Sequence, residues 1–169
     1  MLRKKIGLTT FFLALLVGLA ANADGYERVE LERRAREFSQ LANNFHNRAA
    51  AELRLHFMHP SCNNIVTLSG QLFSRAAGFR EMAGRPRDFL EHELEGLRGS
   101  YFGIVEAAKS CPAMNPGLGN EMLALGNNLR MIGFYVSPDH GDWGEDHWRE
   151  RHGGWCDPHF GWGHAGFRH

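Results

Sequence analysis

Apolar residues recur at alternating steps of three and four along four stretches of the chain. That period places one face of an α-helix against a core. The first stretch covers residues 26–58 and carries Leu31, Ala35, Phe38, Ala42, Phe45, Ala49 and Leu53. The second covers residues 61–83, with Ile65, Leu68, Leu72, Ala76, Phe79 and Ala83. The third covers residues 86–111, with Leu90, Leu94, Leu97, Tyr101, Ile104 and Ala108. The fourth covers residues 116–136, with Leu118, Met122, Leu125, Leu129, Ile132 and Val136. No comparable stretch alternates with period two, so the pattern predicts an all-α protein.

The breaks between stretches carry helix-ending chemistry. They fall at His59-Pro60-Ser61, at Gly84-Arg85-Pro86, and from Cys111-Pro112 to Asn115-Pro116. Proline suits a first helical turn and cannot continue the helix before it. Ser61 and Asn115 are the N-cap candidates. Short connections set consecutive helices antiparallel, which predicts an up-down-up-down four-helix bundle over residues 24–137. The first helix is expected to outrun the others by about 15 Å at its amino end.

Both ends of the chain depart from this pattern. Arg3, Lys4 and Lys5 precede an uncharged stretch from Ile6 to Ala21, and Ala21-Asn22-Ala23 supplies small residues at a cleavage point. Residues 1–23 therefore read as a cleavable signal peptide, with export to the periplasm or outside the cell. A spanning helix needs about 20 mostly apolar residues, more than this segment offers. Residues 138–169 hold all four Trp, six of the ten His and seven of the 20 Gly, with no helical stripe. That composition predicts an irregular or disordered tail.

Charge narrows the function. Without Arg3, Lys4 and Lys5 the chain has 16 Lys+Arg against 19 Asp+Glu. A slightly acidic protein with no basic cluster is a poor partner for nucleic acid. The imbalance sits in residues 138–169, where six acidic residues face three basic ones.

The tail is the first candidate for chemistry. Trp143-x-x-x-His147, Trp148-x-x-x-His152 and Trp155-x-x-x-His159 repeat one spacing, and Trp162-Gly-His164 follows. His140, His147, His152, His159, His164 and His169 are candidate metal ligands, with Asp139, Asp142, Asp146, Asp157 and Cys156 as further donors. Imidazole suits late first-row metals, so Zn²⁺, Cu²⁺ or Ni²⁺ is the cofactor such a tail would take. The plainer reading is a solvated extension whose aromatics contact a surface or partner.

The second candidate is the first turn of the bundle. His56, His59 and Cys62 follow at steps of three, and an up-down bundle brings Cys111 to the same end. These four residues fit either a Cys₂His₂ metal site or a Cys62–Cys111 disulfide. An oxidising compartment favours the disulfide, which leaves Cys156 as an unpaired thiol open to dimer formation. A third candidate is a polar layer formed by Asn43, Asn44, His46, Asn127 and Asn128, with Arg98 and Ser74 near the same height. It is expected to set register at the bundle seam.

Enzyme and cofactor signatures are missing from the sequence. There is no C-x-x-C-H, no Glu-x-x-His pair within the helices, no G-x-S-x-G and no phosphate-binding glycine loop. The expectation is an exported, non-enzymatic interaction protein of the cell envelope with an unknown partner. The alternative is a protein that sequesters or senses a transition metal through its tail.

Overall fold

Proline and the apolar stripes together set where the helices lie. In the computed structural model, which describes residues 3–137, α1 spans Arg3–Glu52, α2 Pro60–Met82, α3 Arg87–Ser110 and α4 Pro116–Val136. There is no strand among the described residues. Pro60 and Pro116 sit in the first turns of α2 and α4, where a missing N–H costs nothing. Pro86 immediately precedes α3. Among the described residues no helix is long and apolar enough to cross a membrane.

The helices alternate in direction, as short connections require. Helix α1 packs on α2 and α4, α2 packs on α3, and the α3–α4 contact is the slightest of the four. The start of the α1 segment in the bundle, the α2–α3 turn and Ser137 therefore share one end. The α1–α2 and α3–α4 connections share the other. Ion pairs and hydrogen bonds mark the first end, where Arg87 reaches Glu27 at 2.6 Å and Ser137 Oγ donates to Glu91 at 2.8 Å. The sulfurs of Cys62 and Cys111 mark the second.

The core is built from the stripes read in the sequence. Every residue of the four stripes is buried except Leu68. Leu68 is half-buried and lies over Gly103, where a Cβ would stand 3.0 Å from Leu68 Cδ1. The absent side chain at Gly103 brings α2 and α3 together there. Phe38, Phe45, Phe79 and Tyr101 are the largest fully buried side chains. The Tyr101 hydroxyl donates to the Met122 carbonyl at 3.2 Å, which satisfies its one polar atom inside the core.

Two expected boundaries are corrected. Helix α1 ends at Glu52, six residues before Met58, because Leu53 is the last residue able to reach the core. A 3₁₀ turn over Arg54–His56 then tightens the chain and turns the following residues outward. Ser61 is not the N-cap of α2. His59 holds that position with extended backbone, and Ser61 lies inside the first turn after Pro60.

Candidate functional site

The candidate site is the bundle end that holds the disulfide. Two braces hold it. The Cys62–Cys111 bond joins the start of α2 to the residue capping α3, with Cα atoms 5.0 Å apart. Both cysteines are buried in the core. Helix α4 begins with Asn115 as its cap, whose Oδ1 accepts from Leu118 N at 3.0 Å. Asn115 Nδ2 donates in turn to Glu52 on the last turn of α1. Arg48 bonds Glu52 along α1 and crosses to Glu121 on α4 at 2.7 Å. Hydrogen bonds from Arg48 and then Asn115 hold the Glu52 carboxyl below its ordinary value. The disulfide thus ties α2 to α3, and the Arg48–Glu52–Asn115–Glu121 network ties α1 to α4.

A short tip projects from this base. Leu53 N donates to Ala49 O at 2.9 Å, the last α-helical bond. His56 N then bonds Leu53 O and His59 N bonds His56 O, each at 2.9 Å, giving two tight turns in succession. Leu53 is buried in the core and the residues that follow it in the turns are exposed. Leu55 is 90% exposed, Met58 97% and Phe57 43%. Isolated exposed apolar residues are ordinary, but three within four positions form a local patch. The patch is framed by Arg54, His56 and His59, and no acidic residue occurs between Glu52 and Glu81.

Of the two alternatives for this end, the disulfide is the one formed. His56 and His59 are exposed at the tip and do not join the cysteines. Among the described residues no cluster of three or more His, Cys, Asp or Glu could hold a metal ion. His140, His147, His152, His159, His164 and His169, with Cys156 and the tail acids, lie outside the described residues.

The expected polar layer does not form. Asn44, Asn127 and Ser74 are exposed, and Asn43 bonds only its neighbour Asn47 one turn on. The polar contact across α1 and α2 is His46 Nδ1 with Ser69 Oγ at 3.0 Å, over Gly70. Ser69 also donates to Val66 O at 2.8 Å and is fully buried. Asn128 is buried in α4, with its Oδ1 lacking a hydrogen-bond partner among the described residues. Arg98 is half-shielded on α3, where burial lowers its guanidinium pKa against the opposing pull of Glu95. Heights counted from helix rise put these residues at one level but on different faces, which rise alone does not specify.

Sequence reading also missed the brace itself. Its signal was present in the Arg48/Glu52 spacing of four on α1 and in the Asn-Pro start of α4. Only the packed bundle brings Asn115 and Glu121 to that pair. The chain matches no protein-family model, no curated protein and no solved structure.

Proposed function

We propose that the protein is an exported, non-enzymatic interaction module of the cell envelope, with the bundle as scaffold and the Leu55–Phe57–Met58 tip as its contact surface. The observation that carries this reading is three large apolar side chains held in water on a doubly braced end. A surface held rigid before binding loses little conformational freedom when it binds, so more of its apolar contact becomes affinity. Export rests on the basic, apolar and small-residue order of residues 1–23.

The test places a photo-crosslinking residue at Leu55 in the mature protein and at the exposed Arg130 as a control. Crosslinks to an envelope component should form from position 55, and should be lost when Phe57 and Met58 are changed to Ser. Equal crosslinking from both positions, or crosslinking that survives the Ser changes, removes the tip from the reading.

The second reading is a transition-metal-binding protein using the tail. It is favoured by six His between His140 and His169 with interleaved glycines. Cu²⁺ titration of residues 24–169 and of residues 24–137 separates the two. Tight binding confined to the longer protein supports the metal reading. Affinity should then fall from about pH 7 to 5, because a ligating imidazole has to be neutral.

A further inference from the structure

At the bundle end opposite the tip lies a cleft of about 610 Å³. Its apolar wall comes from Leu31 of α1, Leu90 of α3 and Tyr135 of α4, and its rim carries Arg28, Arg85 and Arg87. Arg87 is paired with Glu27 at 2.6 Å, and Arg28 lies 3.5 Å from Glu32 and reaches over Gly84. Arg85 makes no ion pair among the described residues. The amino end of α3 opens at the same place, without a side-chain cap, its partial positive charge set against Asp88 in the first turn. Polar and apolar surface line the cleft in about equal part; Leu31 and Leu90 form its buried floor, Tyr135 its more open apolar side, and three arginines against one carboxylate, Glu27, leave it net cationic. Other apolar side chains at this end also face water: Tyr26 and Val29 near the start of the bundle, Phe89 on α3 and Phe134 on α4.

The chain itself supplies a complementary occupant. It leaves the described structure at Ser137, two residues after Tyr135 in the cleft wall. Residues 138–148 carry Asp139, Asp142, Glu145 and Asp146, with no Lys or Arg, and place Trp143 among them. Extended chain covers about 3.3–3.6 Å per residue, so Trp143 lies within roughly 20 Å of Ser137. A tethered segment this close acts at an effective concentration in the millimolar range, and weak individual contacts suffice.

The geometry points to residues 139–146 docking back into this cleft, with their carboxylates on the arginine rim and Trp143 against the apolar wall. Trp143 also suits the rim, since a guanidinium stacks favourably on an indole face. The occupant is a segment of this same chain. The site is separate from the tip, and its failure would leave the interaction reading untouched.

All four Trp lie in residues 138–169, and only Trp143 falls in the docking segment, so with Trp148, Trp155 and Trp162 changed to Phe the fluorescence of the mature protein reports on that segment alone. Acrylamide quenching of this single-Trp protein should rise in the double variant Arg28→Glu/Arg85→Glu, and also in about 1 M NaCl, where screening acts within about 3 Å. A helical melting curve shows whether the bundle stays folded. Adding Asp139→Arg/Asp142→Arg to the double variant should return quenching toward the original value, whereas Arg130→Glu, a charge change away from the cleft, should leave it unchanged. Quenching equal in the parent and the double variant overturns the docking. So does an equal rise with Arg130→Glu, which would make the effect one of net charge. A rise with Arg98→Glu but not with the cleft variant would move the segment to the face of α3 that carries Arg98 and also overturn the placement.

Discussion

Two kinds of residue carry the stability of the bundle, and they respond to different perturbations. Phe38 is fully buried on α1, so Phe38→Ala removes its contacts and leaves a cavity. The expected loss is about 3–5 kcal/mol, read as a lower urea midpoint. Phe89 is equally large but exposed, and Phe89→Ala should cost within about 0.5 kcal/mol. The surface of α1 answers instead to pH. A hydrogen bond from Arg33, with Arg34 adding to it, holds the Glu30 carboxyl down to about 2 from an ordinary 4.5. Its folded value lies below its unfolded one, so the pair's contribution is complete above about pH 4.5 and is lost as pH falls toward 2. Glu30→Gln should accordingly be less stable than the parent at pH 7, with the gap closing as pH falls through about 2, measured by urea unfolding across that range. A constant gap across that range would show that the charge is not responsible. Residue-scale features within one helix, such as the spacing of Glu30, Arg33, Arg34 and Glu37, leave a trace in the sequence. His46 with Ser69 leaves none, because the two are 23 positions apart and meet only when α1 and α2 pack.

Helix starts were legible where a proline marks the first turn. Pro60, Pro86 and Pro116 do this, and α2, α3 and α4 begin within a residue of them. The carboxyl end of α1 has no such marker. Apolar Leu55, Phe57 and Met58 extend the hydrophobic run past the point where the core stops, so periodicity overshot Glu52. Those same residues form the tip, and the error therefore fell on the segment proposed for binding. Asn115 is the converse case, a cap visible in the sequence whose second role was not. Asn115→Ala removes the acceptor for Leu118 N and also the donor to Glu52. An N-cap alone is worth about 0.5–2 kcal/mol, and the lost strut between α1 and α4 should push the result toward the upper value. Asn115→Asp should keep the cap but replace the donor with a second carboxylate facing Glu52. Its urea midpoint is expected to fall between those of the parent and the Ala variant. An Asp variant as stable as the parent would assign the whole effect to the cap.

On the scale of the whole molecule, helix count and antiparallel order followed from stripe number and loop length, and they predicted which cysteines could meet. The unequal packing around the bundle was not legible, because every stripe has a similar width and only the packed structure leaves α3 and α4 in slight contact. The disulfide lies away from that slight seam, on the pair of helices packed most extensively. Helix α2 is joined to α3 by Cys62–Cys111, while α4 is held mainly by α1 and by the Asn115 network. The bond joins residues 49 positions apart, and loop-closure entropy predicts about 4 kcal/mol of stabilisation, acting on the unfolded chain. Cys62→Ala/Cys111→Ala should therefore unfold at a lower urea midpoint. Its m-value should rise, since an unfolded chain without the crosslink exposes more surface. Helical content at 25 °C should be unchanged, because both positions lie in packed core and the remaining stripes are intact. The tip separates this entropic account from a local one. If the bond acts only on the unfolded chain, crosslinking from position 55 persists in the double variant below its midpoint. Loss of that crosslinking while the bundle remains fully helical would show instead that the bond positions the turn beneath Leu55, Phe57 and Met58.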